Sequence, residues 1–459
     1  MLCINSITVY TYCINAIHPT LERVGFSLFF CKWARDAGMM GAILAYVVGT
    51  VFCIFIGLVY SELTPAIPHT GGCVVFAYKA KGYWAAVFAG LASAFSYLGI
   101  AAWEGPAFAS AVNYILPLPE VGRLWTVKGH QVYLSVVAVS IVAAVIITWM
   151  NYVGAKSTAI LQTAAMVGLI CIGLIFLGGA VTKGDVQYMK PLFTDKKGFV
   201  MVLLMVPAMF VGFDVVPQSA SEMNVPLRKI PKILIFSIIA AAMWYILMIF
   251  ATCMSAPEQF RIFGDIPVAD AMAFNFGSHI WGKICVVGAI CGILTSWNGF
   301  LYGGARVLFS LANAKMLPGF LGKIHPVYKT PSNAVLLCGG VFIASCLLGA
   351  DAVTWFVEAS SFGVVLVYLS ASLAFVRLRK YSPDMPRPYK VRNGKFVGGM
   401  AMISTVMFAL LYLPSGPCSL NTFEWCFVGG WFLCGFLMSW YMKKKYFCIT
   451  REDREKLLL

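Results

Sequence analysis

Charge is scarce in this chain. Only 12% of its 459 residues are Asp, Glu, Lys or Arg, against about a quarter in a soluble globular protein. With 60% hydrophobic residues and a mean hydropathy of +0.82, that shortage excludes a water-soluble domain and predicts a polytopic membrane protein. A long polar linker, a Ser/Gly-rich spacer and a charged low-complexity tail beyond Lys443 to Lys456 are also missing, so one integrated helical bundle is expected rather than separate domains. The first twenty residues lack a basic n-region, and no cleavable signal is expected.

Other absences narrow the chemistry. The fifteen cysteines include no C-x-x-C and have no His or Asp companions at ligand spacing. They read as small core hydrophobes, with an outer Cys418–Cys426 pair as the alternative. The five histidines, His69 and His325 among them, form no cluster, so no metal is expected. A membrane-bound enzyme would need a nucleophile with its base, a carboxylate pair or a metal set, and none assembles. No cofactor is implied.

Acids are fewer than bases, for a net charge of +15, but the distribution argues against nucleic acid. Loops on one side of the expected spans hold 23 of the 34 Lys and Arg, and those on the other side hold 10. This is the positive-inside bias, and it predicts a multi-pass protein of the cell membrane with both termini in the cytoplasm. The Arg377–Lys395 cluster and Lys443, Lys444 and Lys445 read as orientation signals and lipid-headgroup contacts.

A span needs about 20 mostly apolar residues. Eleven candidates lie at 39–61, 84–116, 131–150, 158–181, 199–220, 232–255, 280–311, 334–349, 352–376, 396–414 and 423–442. The stretches 84–116 and 280–311 exceed one crossing, which predicts tilting, a break or an overrun into the loops. Residues 4–33, interrupted by His18 to Arg23, make a degraded twelfth.

The sixth of the twelve carries Pro207, Gly212, Asp214 and Pro217. In hydrocarbon a broken helix survives only where it is buried or lines a cavity, and an acid at the break marks a substrate or ion pathway. Gly25-Phe26-Ser27 places a second Gly-Phe break in the first span, and paired breaks point to an inverted-repeat transporter site.

Four stretches resemble the amino acid–polyamine–organocation (APC) permease superfamily. Tyr60-Ser61-Glu62-Leu63-Thr64-Pro65 to Gly71-Gly72 resembles its exit from helix 2. Gly212-Phe213-Asp214 to Pro231 resembles helix 6 and the loop after it. Ala305-Arg306-Val307-Leu308-Phe309-Ser310 to Pro318, with His325-Pro326 and Thr330-Pro331-Ser332-Asn333, resembles the end of helix 8. Tyr381-Ser382-Pro383-Asp384-Met385-Pro386-Arg387-Pro388-Tyr389 resembles the loop after helix 10.

The resemblance implies an all-α, five-plus-five inverted-repeat transporter bundle of about twelve spans with broken helices 1 and 6. It divides the chain into an atypical segment 1–38, the rest of a first repeat at 39–181 and a second repeat at 199–376. Two trailing helices at 396–442 and a cytoplasmic tail at 443–459 follow. It implies alternating access around a substrate held between the two breaks. The sequence departs from the pattern twice: the helix 1 break, Gly25-Phe26-Ser27-Leu28-Phe29, is one glycine short, and Leu169 stands where many relatives carry a membrane-embedded lysine. Lys156 nearby reads as an orientation residue.

An amino acid offers a carboxylate and an ammonium. Exposed N–H groups at Gly25, Phe26 and Ser27 suit the first, and the carbonyls of Phe210, Val211 and Gly212 suit the second. Asp214 reads either as a partner of the amine or as a cap on the second half of helix 6. Phe213 reads as a gate over the substrate or as core packing.

Glu104, mid-span beside Gly105-Pro106, is the first candidate for proton coupling, because desolvation favours a neutral acid; the alternative is an anchor between helices. Thr295 and Ser296 are candidates for sodium. Glu62 and Glu222, with Arg306 and Arg228 in candidate reach, read as cytoplasmic ion pairs, and Glu358 ranks below Glu104. The expected function is a secondary transporter for an amino acid, coupled to protons or to a counter-substrate. The alternatives are a polyamine- or ethanolamine-like amine permease and a transport-silent sensor or partner subunit.

Overall fold

The computed structural model describes residues 33–127, 130–218, 220, 226–263, 266–414, 416 and 419–458, with backbone alone at 127, 130, 155–161, 261–263 and 350–354. The chain order begins α1 Met39–Ala66, α2 Cys73–Lys81, α3 Tyr83–Ala101, α4 Glu104–Ile115, β1 Arg123–Val127, β2 His130–Tyr133, α5 Leu134–Val153 and α6 Ala155–Lys183. It continues α7 Lys196–Met209, α8 Val215–Gln218, α9 Ile230–Ser255, α10 Glu258–Phe263, α11 Pro267–Phe276 and α12 His279–Asn313. The last elements are α13 Ser332–Cys346, α14 Ala350–Tyr381, α15 Gly394–Leu411, α16 Thr422–Lys445 and α17 Arg451–Leu458.

Taking α3 and α4 as one, nine stretches among the described residues are long and apolar enough to cross a membrane. The shorter α13 and the interrupted α7–α8 account for the other two expected spans. This is a helical, multi-pass membrane protein. The loop before α5 forms a small antiparallel hairpin, β1 with β2, because Arg123 to Tyr133 is rich in β-branched and aromatic residues, so the span expected from 131 becomes helical only at Leu134. Of the alternatives for the 280–311 stretch, a break is not what forms: α12 is one helix of 35 residues, about 52 Å at 1.5 Å per residue, longer than one crossing needs.

The α3–α4 break has a local cause. Pro106 has no N–H to offer the carbonyl four residues back, and the Ser345 hydroxyl of α13 donates to that Ala102 carbonyl at 3.1 Å. At the end of α7, Tyr245 of α9 donates to the Met209 carbonyl at 3.2 Å. Each break thus has one carbonyl met from a neighbouring helix, where hydrocarbon offers no water to do so.

Close helix contact comes from small residues. A Cβ at Gly49 would sit 2.6 Å from Val206 Cγ1, so α1 lies against α7 only because that position has no side chain. Between α5 and α12, Asn151 Nδ2 donates to Asn298 Oδ1 at 2.6 Å. The start of α16 is fixed by a reciprocal capping box of Asn421 and Glu424.

The tail folds back onto the helix ends. Tyr78 of α2 donates to the Arg451 carbonyl at 2.9 Å, Asn313 of α12 to the Leu457 carbonyl at 2.6 Å, and Arg454 to the Ala314 carbonyl at 3.1 Å. With Arg454 and Leu458 buried, α17 is docked at the end of the bundle that carries Lys79 and Lys315.

Candidate functional site

The gap between α7 and α8 is built around Gly212 and Asp214. Gly212 has φ 139°, a conformation that L side chains rarely adopt. The Asp214 carboxylate, 3% exposed, reaches back to the Gly212 N–H at 2.8 Å through Oδ1. Its Oδ2 accepts from the Tyr97 hydroxyl of α3, also at 2.8 Å. The carboxylate thus ties the turn before α8 to a neighbouring helix.

The carbonyls of the turn divide. Gly212 accepts from Val215 N–H at 3.0 Å and Phe213 from Val216 N–H at 3.4 Å. Among the described residues, no hydrogen bond reaches the carbonyls of Phe210 or Val211. Phe213 is fully buried between two tyrosines. Its ring stacks on Tyr368 of α14 at 5.5 Å and meets Tyr60 of α1 edge-on at 5.6 Å.

Three of the sequence motifs converge just beyond this turn. Gly71 N–H donates to the Gln218 carbonyl at 3.2 Å, and a Cβ at Gly72 would sit 2.8 Å from Pro217 Cβ. A Cβ at Gly71 would collide with Ser310 of α12. Cys73 adds a buried polar contact with Ser93 at 2.8 Å and receives Gln218 Nε2 at 3.7 Å.

The fourth motif closes the same end of α1. Glu62, fully buried, pairs with the Arg387 guanidinium at 3.1 Å and with Arg379, and accepts the Val391 N–H at 2.8 Å. This corrects the expected Glu62–Arg306 pair. Arg306 lies over the Tyr302 ring, 3.1 Å from its centroid, while the last turn of α14 supplies Glu62 with Arg379 and the loop after it folds back to supply Arg387. Glu222 lies outside the described residues, so its pairing with Arg228 is not addressed.

On the other side of α3, Glu104 at the start of α4 is 1% exposed and accepts the Ser296 hydroxyl of α12 at 2.7 Å. Two residues singled out separately in the sequence thus share one hydrogen bond. Thr295 turns instead to its own helix, donating to the Cys291 and Gly292 carbonyls at 2.8 Å each. Glu358 is exposed, and Leu169 is buried apolar packing.

Gly25, Phe26, Ser27 and Cys418 lie outside the described residues, and Lys156 is described by its backbone alone. Sequence reasoning missed Tyr97, Tyr368, Arg379 and Arg387 as partners. The signal for the tyrosines was a polar hydroxyl in an apolar run, which must find an acceptor or line a cavity, but that signal names no partner.

Comparison with known proteins agrees with the four motifs. A family model described as amino acid permease matches residues 4–434. The branched-chain amino acid permease BcaP of Bacillus subtilis is 27% identical over 81% of this chain and 80% of its own length. The methylthioribose transporter of the same organism is 24% identical over 84% of each chain. Its serine/threonine exchanger SteT is 26% identical over 83% of this chain and 85% of its own. These relatives are transporters rather than enzymes, and the chain belongs to the amino acid permease family of the APC superfamily.

Proposed function

We propose that this chain is a secondary transporter that carries an amino acid across the membrane by alternating access around the α7–α8 gap. One observation carries the reading: Asp214 is buried at a broken helix whose turn leaves the Phe210 and Val211 carbonyls without a donor among the described residues. Carbonyls and a carboxylate around one gap suit an ammonium group. The substrate carboxylate falls to the N–H groups of Gly25, Phe26 and Ser27. BcaP and SteT, by their names, take branched-chain amino acids and serine or threonine. They support a small neutral amino acid here, with exchange as one mode.

Proton coupling is assigned to Glu104. Its carboxyl exchanges a proton as the spans rearrange, and Ser296 holds whichever oxygen is left as acceptor. Sodium is the weaker assignment, because the Thr295 hydroxyl already donates within its own helix. The two five-span halves, residues up to 181 and 199–376, form the inverted repeat in this reading. The basic end of the bundle faces the cytoplasm, and docking of α17 there puts the C-terminus on the same side.

The test is uptake into proteoliposomes of leucine, serine, threonine and their decarboxylated amines, with and without an inward proton gradient and with and without internal amino acid. Amino acid uptake, lost in Asp214→Asn, is expected. Uptake of the amines alone would replace this reading with an amine permease, and binding without flux would replace it with a sensor.

A further inference from the structure

A groove of about 850 Å3 opens on the flank of the bundle between the start of α3, the last turns of α14 and the end of α16. Its mouth carries Lys81, Arg377, Lys380 and Lys443, and its walls include Phe88 and Leu373. No carboxylate lines it. Among the described residues none of these four cations has an ion-pair partner. Arg377 Nε donates to the Ala80 carbonyl at 2.7 Å, which fixes the end of α14 to the end of α2. Lys443 lies 5.2 Å from the Trp84 ring.

We infer that this groove binds an anionic phospholipid, with the phosphate among the four cations and an acyl chain along Phe88 and Leu373. Two features point to a lipid rather than a free anion. Leu373 is 50% exposed and Trp84 40%, so the walls present apolar surface outward where hydrocarbon lies. Arg377, Lys380 and Lys443 stand near the ends of helices long and apolar enough to cross a membrane, beside Trp84 and Tyr381, and aromatic residues favour the interfacial zone. Basic pockets between transmembrane helices on the cytoplasmic side bind phosphate headgroups in the same way. Four cations without an ion-pair partner among the described residues, gathered around one apolar slot, select a net negative headgroup over a zwitterionic one.

The test is native mass spectrometry of the full chain in detergent with phosphatidylglycerol and phosphatidylcholine of matched acyl chains. Phosphatidylglycerol is expected to be retained in preference. The triple variant Lys81→Ala, Lys380→Ala, Lys443→Ala is expected to lose about a hundredfold in that retention, taking about 1 kcal/mol per lysine and tenfold per 1.4 kcal/mol. A control triple of exposed basic residues outside the groove, Lys196→Ala, Lys197→Ala, Lys323→Ala, is expected to retain it. Leu373→Trp, which fills the slot and leaves every cation in place, is expected to lose it as well. Equal retention of the two lipids, or an equal fall in the control triple, would overturn the assignment. Retention unaffected by Leu373→Trp but displaced by inorganic phosphate would reduce the groove to an anion site.

Discussion

The Tyr97 hydroxyl donates to Asp214 Oδ2 at 2.8 Å, tying the last turns of α3 to the gap between α7 and α8. The contact joins two interrupted spans near their breaks, and it leaves Asp214 held from two sides, since Gly212 N–H holds the other oxygen. A carboxylate fixed in this way is oriented before any ligand arrives.

Asp214→Asn is therefore expected to cut amino acid uptake at least tenfold while folded yield holds, because the amide keeps the shape but loses the charge. Hydrogen bonds to charged groups contribute about 1.5–3 kcal/mol, which matches a loss of that size. Tyr97→Phe is expected to fall between wild type and Asp214→Asn. Wild-type uptake in both variants would detach this pair from the transport site.

Glu104→Gln keeps an acceptor for Ser296 but cannot ionise. Uptake in this variant is expected to lose its dependence on external pH, while exchange of internal for external substrate persists. A pH profile that matches wild type would leave Glu104 with a purely structural contact to α12.

At Gly212 any other residue must adopt φ 139°, a strained backbone region that costs about 1–3 kcal/mol. Gly212→Ala is expected to lower the melting temperature measurably and to impair uptake more than the stability loss explains. Gly168→Ala, where a Cβ meets nothing within 4 Å, is the silent control. A Gly212→Ala protein indistinguishable from that control would show that the turn tolerates side chains.

Glu62→Gln leaves two guanidinium groups without their carboxylate, and removing one partner of a buried ion pair costs about 3–5 kcal/mol. A drop of several degrees in detergent melting is expected. Adding Arg387→Gln, whose guanidinium is buried, should restore part of it, whereas adding Arg379→Gln, with 20% of its side chain exposed, should restore less. Additive losses in the double variants would mean that the pairs are not coupled.

The breaks were legible in the sequence because their causes are local. Pro106, Pro207 and Gly212 interrupt apolar runs by rules that act over four residues. The partners were not legible. Tyr97 and Asp214 are 117 positions apart and Glu62 and Arg379 are 317 apart, and only helix packing decides which polar groups meet. The mistaken Glu62–Arg306 pair shows the difficulty, since both residues sit at the right end of the bundle and charge alone does not distinguish Arg306 from Arg387. Ser296 was selected for its hydroxyl as a sodium ligand, yet that hydroxyl is spent on Glu104. Residue type carried information about chemistry, and tertiary placement decided its use.

The unbroken length of α12 has a mechanical consequence. It holds Ser296, bonded to Glu104, near its middle, and Asn313, bonded to the tail, at its end. These lie about 26 Å apart along the axis at 1.5 Å per residue, within one continuous helix. A displacement of that helix along its axis at the buried carboxylate is expected to reach the tail helix. A spectroscopic label on α17 would thus read, from the aqueous side, a movement that begins in the middle of the membrane.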